Sequence, residues 1–164
     1  MLSKTAQEAI NGQIKNELYS AYLYLSMSAY FESKTLPGFA RWMRVQEAEE
    51  RMHAIKFFDY VLDRGGMITL QPIDGPPTEF KGPLEVFELV LEHEKKVTAM
   101  IHKLYELAVK EKDYATQVLL QWFITEQVEE EKNATQVIEK LRMVEAKCHG
   151  GLVLDHEMGK RGKD

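Results

Sequence analysis

Apolar residues recur along most of this chain at alternating intervals of four and three. One series runs Ile10, Ile14, Glu17, Ala21, Tyr24, Ser28, Phe31, and a second Phe39, Met43, Gln46, Glu50, His53, Phe57, Tyr60. A third is Phe87, Val90, Glu94, Val97, Ile101, Leu104, Ala108, and a fourth Leu120, Phe123, Gln127, Glu130, Ala134, Val137, Leu141. Side chains three and four apart share one helix face, so each series predicts an inward-facing stripe on a long helix. Breakers set the limits. Pro37-Gly38, Gly65-Gly66, the broken stretch from Pro72 to Pro83, and Gly150-Gly151 divide the sequence. Long helices are therefore predicted over about 5–33, 38–64, 84–111 and 114–146, with a short one near 151–159.

Only Lys112-Asp113 separates the third helix from the fourth, which predicts an antiparallel hairpin. About 17 residues rich in Pro and Gly join the second helix to the third, well beyond an ordinary helix–helix loop. Such a connection can run along a whole bundle and let those two helices point the same way. The expected fold is all-α and a single domain over 1–164. It is a four-helix bundle (about 5–146) with one long crossover (about 65–83) and a short fifth C-terminal helix.

The stripes are apolar toward both ends but not part-way along. There they carry Glu17; Gln46, Glu50 and His53; Glu94; and Gln127 and Glu130. A buried carboxylate is too costly to keep ionised without a partner, and no Lys or Arg lies on these stripes. Metal cations are the remaining economical partner. Oxygen ligands with one imidazole suit iron, manganese or zinc, whereas copper and iron–sulfur clusters favour thiolates. Glu50-x-x-His53 puts both side chains on one face a turn apart, within reach of one metal. Glu17, Glu50, Glu94 and Glu130 would together neutralise two divalent cations, so two carboxylate-bridged metals are the simplest arrangement. Two ferrous ions that close can each give an electron to a shared dioxygen. Zinc has no redox state to use.

Composition then narrows partners and location. At 164 residues the chain can bury a sizeable core, and 45% hydrophobic with 29% charged residues is ordinary for a soluble globular protein. Lys plus Arg is 21 against 26 Asp plus Glu, a net charge of −5, which offers no basic surplus for nucleic acid or a membrane surface. The longest charge-free stretch, between Glu17 and Glu32, is too short to span a bilayer. A single cysteine, Cys148, and a start without a secretion signal lead to the expectation of a reducing, cytoplasmic location.

The chain resembles the bacterial non-haem ferritins over essentially its whole length. The resemblance rests on Asn16-Glu17-Leu18-Tyr19-Ser20, Tyr24, Glu49-Glu50-Arg51-Met52-His53, Glu94, Gln121-Trp122-Phe123, and the run from Glu126 to Lys132. It implies iron storage and detoxification in a hollow shell of 24 subunits. Each subunit would hold a ferroxidase centre that oxidises Fe(II) with dioxygen or hydrogen peroxide. In that centre Glu17, Glu50 and His53 would hold a first iron, with Glu50 bridging to a second held by Glu94 and Glu130. Gln127 would line the site, and the Tyr24 phenol would hydrogen-bond a ligand or donate an electron. Glu49, Glu126 and Glu129 match a third iron site that shares Glu130.

Two departures from the family pattern carry consequences. A second Glu-x-x-His is replaced on the fourth helix by Gln127-x-x-Glu130, so the second iron lacks an imidazole and should be passed onward more readily. Arg51 stands where haem-binding relatives place their ligating Met, so no haem is expected and Met52 is assigned to packing. His93, His102, His149 and His156 have no ligand-spaced partner and are assigned to surface or interface roles. For Glu49, Glu126 and Glu129 a solvated helix face is the competing assignment, and Glu131 is given to that face outright. Two other functions share some of these features: a non-catalytic helical bundle with a structural metal, and a di-iron oxygenase or peroxidase that stores no iron.

Overall fold

The computed structural model describes residues 2–145 and 150–162. Its helices are α1 (Lys4–Ser33), α2 (Pro37–Asp63), α3 (Pro83–Lys110), α4 (Tyr114–Glu145) and α5 (Gly150–Met158), with no strand among the described residues. Cys148 and His149 lie outside that range. Helix starts follow local chemistry. The Ser3 side chain accepts from the Ala6 N–H at 3.0 Å to cap α1, and Asp113 accepts from the Thr116 N–H at 3.1 Å to cap α4. Pro37 and Pro83 occupy first-turn positions of α2 and α3, where a missing N–H is harmless.

Every stripe residue is buried except Tyr60, which is half-buried. The apolar members separate into two cores. One gathers Tyr24, Met27 and Phe31 of α1, Phe39 and Met43 of α2, Phe87 and Val90 of α3, and Val137 and Leu141 of α4. The other gathers Ile10 and Ile14, Phe57 and Val61, Val97 and Ile101, and Leu120 and Phe123. The starts of both α2 and α3 lie in the first core, so these helices run parallel, and the connection between them must traverse the bundle. Residues 64–82 do this without regular structure. They are tied to α1 as they pass: Met67 N–H donates to Gln7 at 2.8 Å, Thr69 N–H to Asn11 at 3.1 Å, and the Ser26 hydroxyl to the Pro77 carbonyl at 2.6 Å.

At the far end, Arg64 grips Asp113 with both terminal guanidinium nitrogens, Nη1 and Nη2, at 3.0 and 3.1 Å, and so fastens the end of α2 to the α3–α4 turn. At the near end α5 covers the first core, burying Leu154 and Met158. Its Asp155 carboxylate accepts from the Phe39 N–H at 3.0 Å, supplying α2 with the cap its own sequence lacks. Met52 departs from expectation. It is 63% exposed on α2 and packs in neither core, because it falls between the stripe residues Glu50 and His53 on the outward face. No described helix is long and apolar enough to cross a membrane.

Candidate metal centre

Between the two cores the four stripes bring their polar members together. Glu17, Glu50 and His53 each present a ligand atom within 4.8 Å of the others, and all three are buried. Among the described residues this is the one group of three or more acids, histidines or cysteines that converges so closely. His53 Nδ1 lies 3.4 Å from Glu50 Oε2, as expected for residues one turn apart on α2. Glu94 and Glu130 are buried in the same layer.

Amides and a phenol hold these acids in place. Gln13 donates to Glu17 Oε1 at 2.8 Å, and Gln46 donates to Glu50 Oε1 at 3.0 Å and Glu130 Oε2 at 2.8 Å. Gln127 donates to Glu94 Oε2 at 3.1 Å, and the Tyr24 hydroxyl donates to Glu94 Oε1. Gln13 has no part in the sequence assignment. It stands four residues before Glu17, as Gln46 stands four before Glu50, and that shared spacing is the signal that would have found it.

Electrostatics show how costly the arrangement is without cations. Burial, with the Glu50 carboxylate close by, pushes Glu17 well above the usual carboxylate range. Burial and the charges of Glu50 and Glu130 do the same to Glu94, against the pull of Tyr24 and Gln127. Burial and Glu50 raise Glu130 to about 7, opposed by Gln46. For His53, burial alone would lower the pKa. The Glu50 hydrogen bond and the surrounding acids outweigh it, so the imidazole is raised. Glu17 Oε2 is buried with no hydrogen-bond partner among the described residues. An orphaned carboxylate oxygen beside an imidazole, with further acids in the same layer, fits a divalent cation.

The outer acids are less convergent. Glu49 and Glu126 line one cavity of about 520 Å³ with His53 and Trp122, and His53 Nε2 lies 3.9 Å from Glu126 Oε1. Glu129 is exposed and does not line that cavity, which agrees with a solvated face for this one acid. Glu131 is not simply solvated, because it accepts from the Thr98 hydroxyl at 2.6 Å. His93 is less exposed than the other described histidines assigned to surface or interface roles. It is half-buried, 2.8 Å from the Ser20 hydroxyl, with its ring against Tyr19 and Tyr24. His102 and His156 are exposed, as expected.

Known proteins match this architecture along its length. Residues 7–144 match the family described as a ferritin-like domain. A bacterial non-heme ferritin from Bacteroides fragilis is 45% identical over 161 residues, covering 98% of this chain and 100% of that protein. One from Staphylococcus haemolyticus is 40% identical over 164 residues, covering 100% and 99%. Among solved structures, an open pore ferritin from the hyperthermophilic archaeon Archaeoglobus fulgidus superposes with a TM-score of 0.96 at 51% identity, covering 98% of this chain and 99% of that one. The chain belongs to the ferritin family.

Proposed function

We propose that the seam acids form an intrasubunit di-iron ferroxidase centre and that the ferric product is stored as mineral inside a shell of 24 copies. Iron storage with oxidation of Fe(II) is the function of the family to which the chain belongs. The observation that carries the site is the buried Glu17, Glu50 and His53 group with its orphaned Glu17 oxygen. Glu17, Glu50 and His53 would hold the first ferrous ion. Glu94 and Glu130 would hold the second, with Glu50 shared between the two. Iron here is the substrate, and the chain's contribution is placement. Four carboxylates balance two Fe(II), and the amides of Gln13, Gln46 and Gln127 fix the carboxylate rotamers before metal arrives. Each Fe(II) loses one electron, and together two reduce one dioxygen to hydrogen peroxide with uptake of two protons.

The second ion would have only carboxylates and Gln127 around it, so it should be held less firmly and move on to the mineral. Glu49 and Glu126 with Glu130 would offer a third position at the edge of the centre, where Glu129 could join only by turning inward. A shell needs apolar faces for its subunit contacts. Met67 and Leu70 on the crossover and Leu152 and Val153 on α5 are all at least 66% exposed in the isolated subunit. They are natural contact residues, and the reducing cytoplasm is the natural compartment.

Replacing Glu50 or His53 with Ala tests this directly. Single-turnover Fe(II) oxidation under air should slow by more than about 100-fold, since removing a ligand costs more than the 10- to 100-fold of disturbing its outer support. Gel filtration should still return a particle of about 460 kDa, twenty-four copies of the 19.0 kDa chain. Unchanged oxidation in both variants would exclude this centre. A monomer that leaves iron to precipitate would exclude storage.

A further inference from the structure

The described segment after α5, residues 159–162, does not trail away from the bundle. It lies along α2 over Trp42, Val45 and Glu49, which share one face. Arg41 donates from Nε to the Arg161 carbonyl and from Nη2 to the Gly162 carbonyl, both at 3.2 Å, and so clamps the backbone. Gly162 packs on Val45. The Arg161 guanidinium stands 4.2 Å above the Trp42 ring centroid and donates from Nη2 to Glu49 Oε2. Its Nη1 is buried and has no hydrogen-bond partner among the described residues. The side chain is thus folded in, its charge at the edge of the acidic layer.

We infer that Arg161 is a tethered cation at the outer carboxylate position, occupying Glu49 in place of a third metal ion and competing with any ion that binds there. This rests on the assignment of Glu49, Glu126 and Glu130 to a third site. A guanidinium bonded to one carboxylate oxygen removes that oxygen from metal coordination, and its charge repels a divalent cation nearby. The orphaned Nη1 marks an arginine not fully satisfied where it sits, as a displaceable counter-ion should be. With Arg161 in place the subunit holds two ions tightly and a third only weakly. With the tail released it handles three.

Zinc binding to the metal-free assembled protein tests this without depending on turnover. Calorimetric titration should give two tight Zn²⁺ per subunit for the wild type and a weaker third. Arg161→Gln should bind that third ion about ten- to a hundredfold more tightly, the usual worth of a charge-assisted hydrogen bond. Arg41→Gln loosens the tail without touching an acid, and should shift the third affinity in the same direction. Zinc anomalous maps should place the extra ion at Glu49, with the wild-type tail displaced wherever it is occupied. Equal third-ion affinity in all three proteins would overturn the role of Arg161 and leave the third site standing. Two ions in every protein, with none at Glu49, would overturn both.

Discussion

A β-carbon at Gly38 would stand 1.6 Å from the carbonyl oxygen of Asp155, an approach only glycine permits. The same contact brings the Asp155 carboxylate onto the Phe39 N–H, so one close approach both docks α5 and caps α2. Gly38→Ala must push α5 away, forfeiting the cap and part of the burial of Leu154 and Met158. The expected cost is about 2–4 kcal/mol, against about 1 kcal/mol for Asp155→Ala, which loses the cap alone. Hydrogen exchange along α5 distinguishes them. Gly38→Ala should expose the whole helix, whereas equal protection in both variants would mean the close approach carries no weight.

Gln46 donates one amide group to two acids on different helices, Glu50 and Glu130. Gln46→Leu should keep the bundle folded but weaken zinc binding at the centre by about 10- to 100-fold. A titration matching the wild type would reduce the amide to packing.

Tyr24 is fully buried, and its hydroxyl donates to Glu94. Tyr24→Phe keeps the ring in the core and removes only that donor, so stability should fall by about 1 kcal/mol. If the phenol orients Glu94 on the second ion, single-turnover oxidation should slow by about tenfold with zinc stoichiometry unchanged. A wild-type rate would confine Tyr24 to the core.

The bundle and its inner acids were legible in the sequence because both are local patterns. A four–three stripe predicts its own buried face, and an acid on that face contradicts the stripe unless something positive meets it. Glu17, Glu50, His53, Glu94 and Glu130 were found by that contradiction. Gln13 escaped because it sits beside the stripe, although it repeats the spacing of Gln46 to Glu50. Asp155 and Arg161 escaped for a different reason. Their partners Phe39 and Glu49 are 116 and 112 residues away, and only the docking of α5 brings them together. The outward position of Met52 follows from its place between two stripe residues. The half-burial of His93 has no comparable local sign, since it comes from Ser20, Tyr19 and Tyr24 on the neighbouring helix.

Metal-free protein should lose stability as pH rises. Glu130 ionises at about 7 in the folded chain against 4.5 for the free side chain. Between those values the folded state keeps a proton that the unfolded chain has lost, so stability falls through that window and levels off above it. Glu17 and Glu94, also raised, act with the same sign, as does His53. From Glu130 alone the loss is about 3 kcal/mol per subunit. Thermal unfolding of chelator-treated protein should give a lower Tm at pH 8 than at pH 5, and zinc should narrow the gap by binding the deprotonated acids. A Tm for the metal-free protein that rises across this range would contradict the cation-deficient layer described above.

Crystals of the assembled protein soaked with Fe(II) in the absence of oxygen, with anomalous maps at the iron edge, test the di-iron assignment most directly. Two peaks per subunit are predicted, one among Glu17, Glu50 and His53 and the other against Glu94 and Glu130, with Glu50 between them. Iron bound only outside the bundle, with none beside His53, would contradict it.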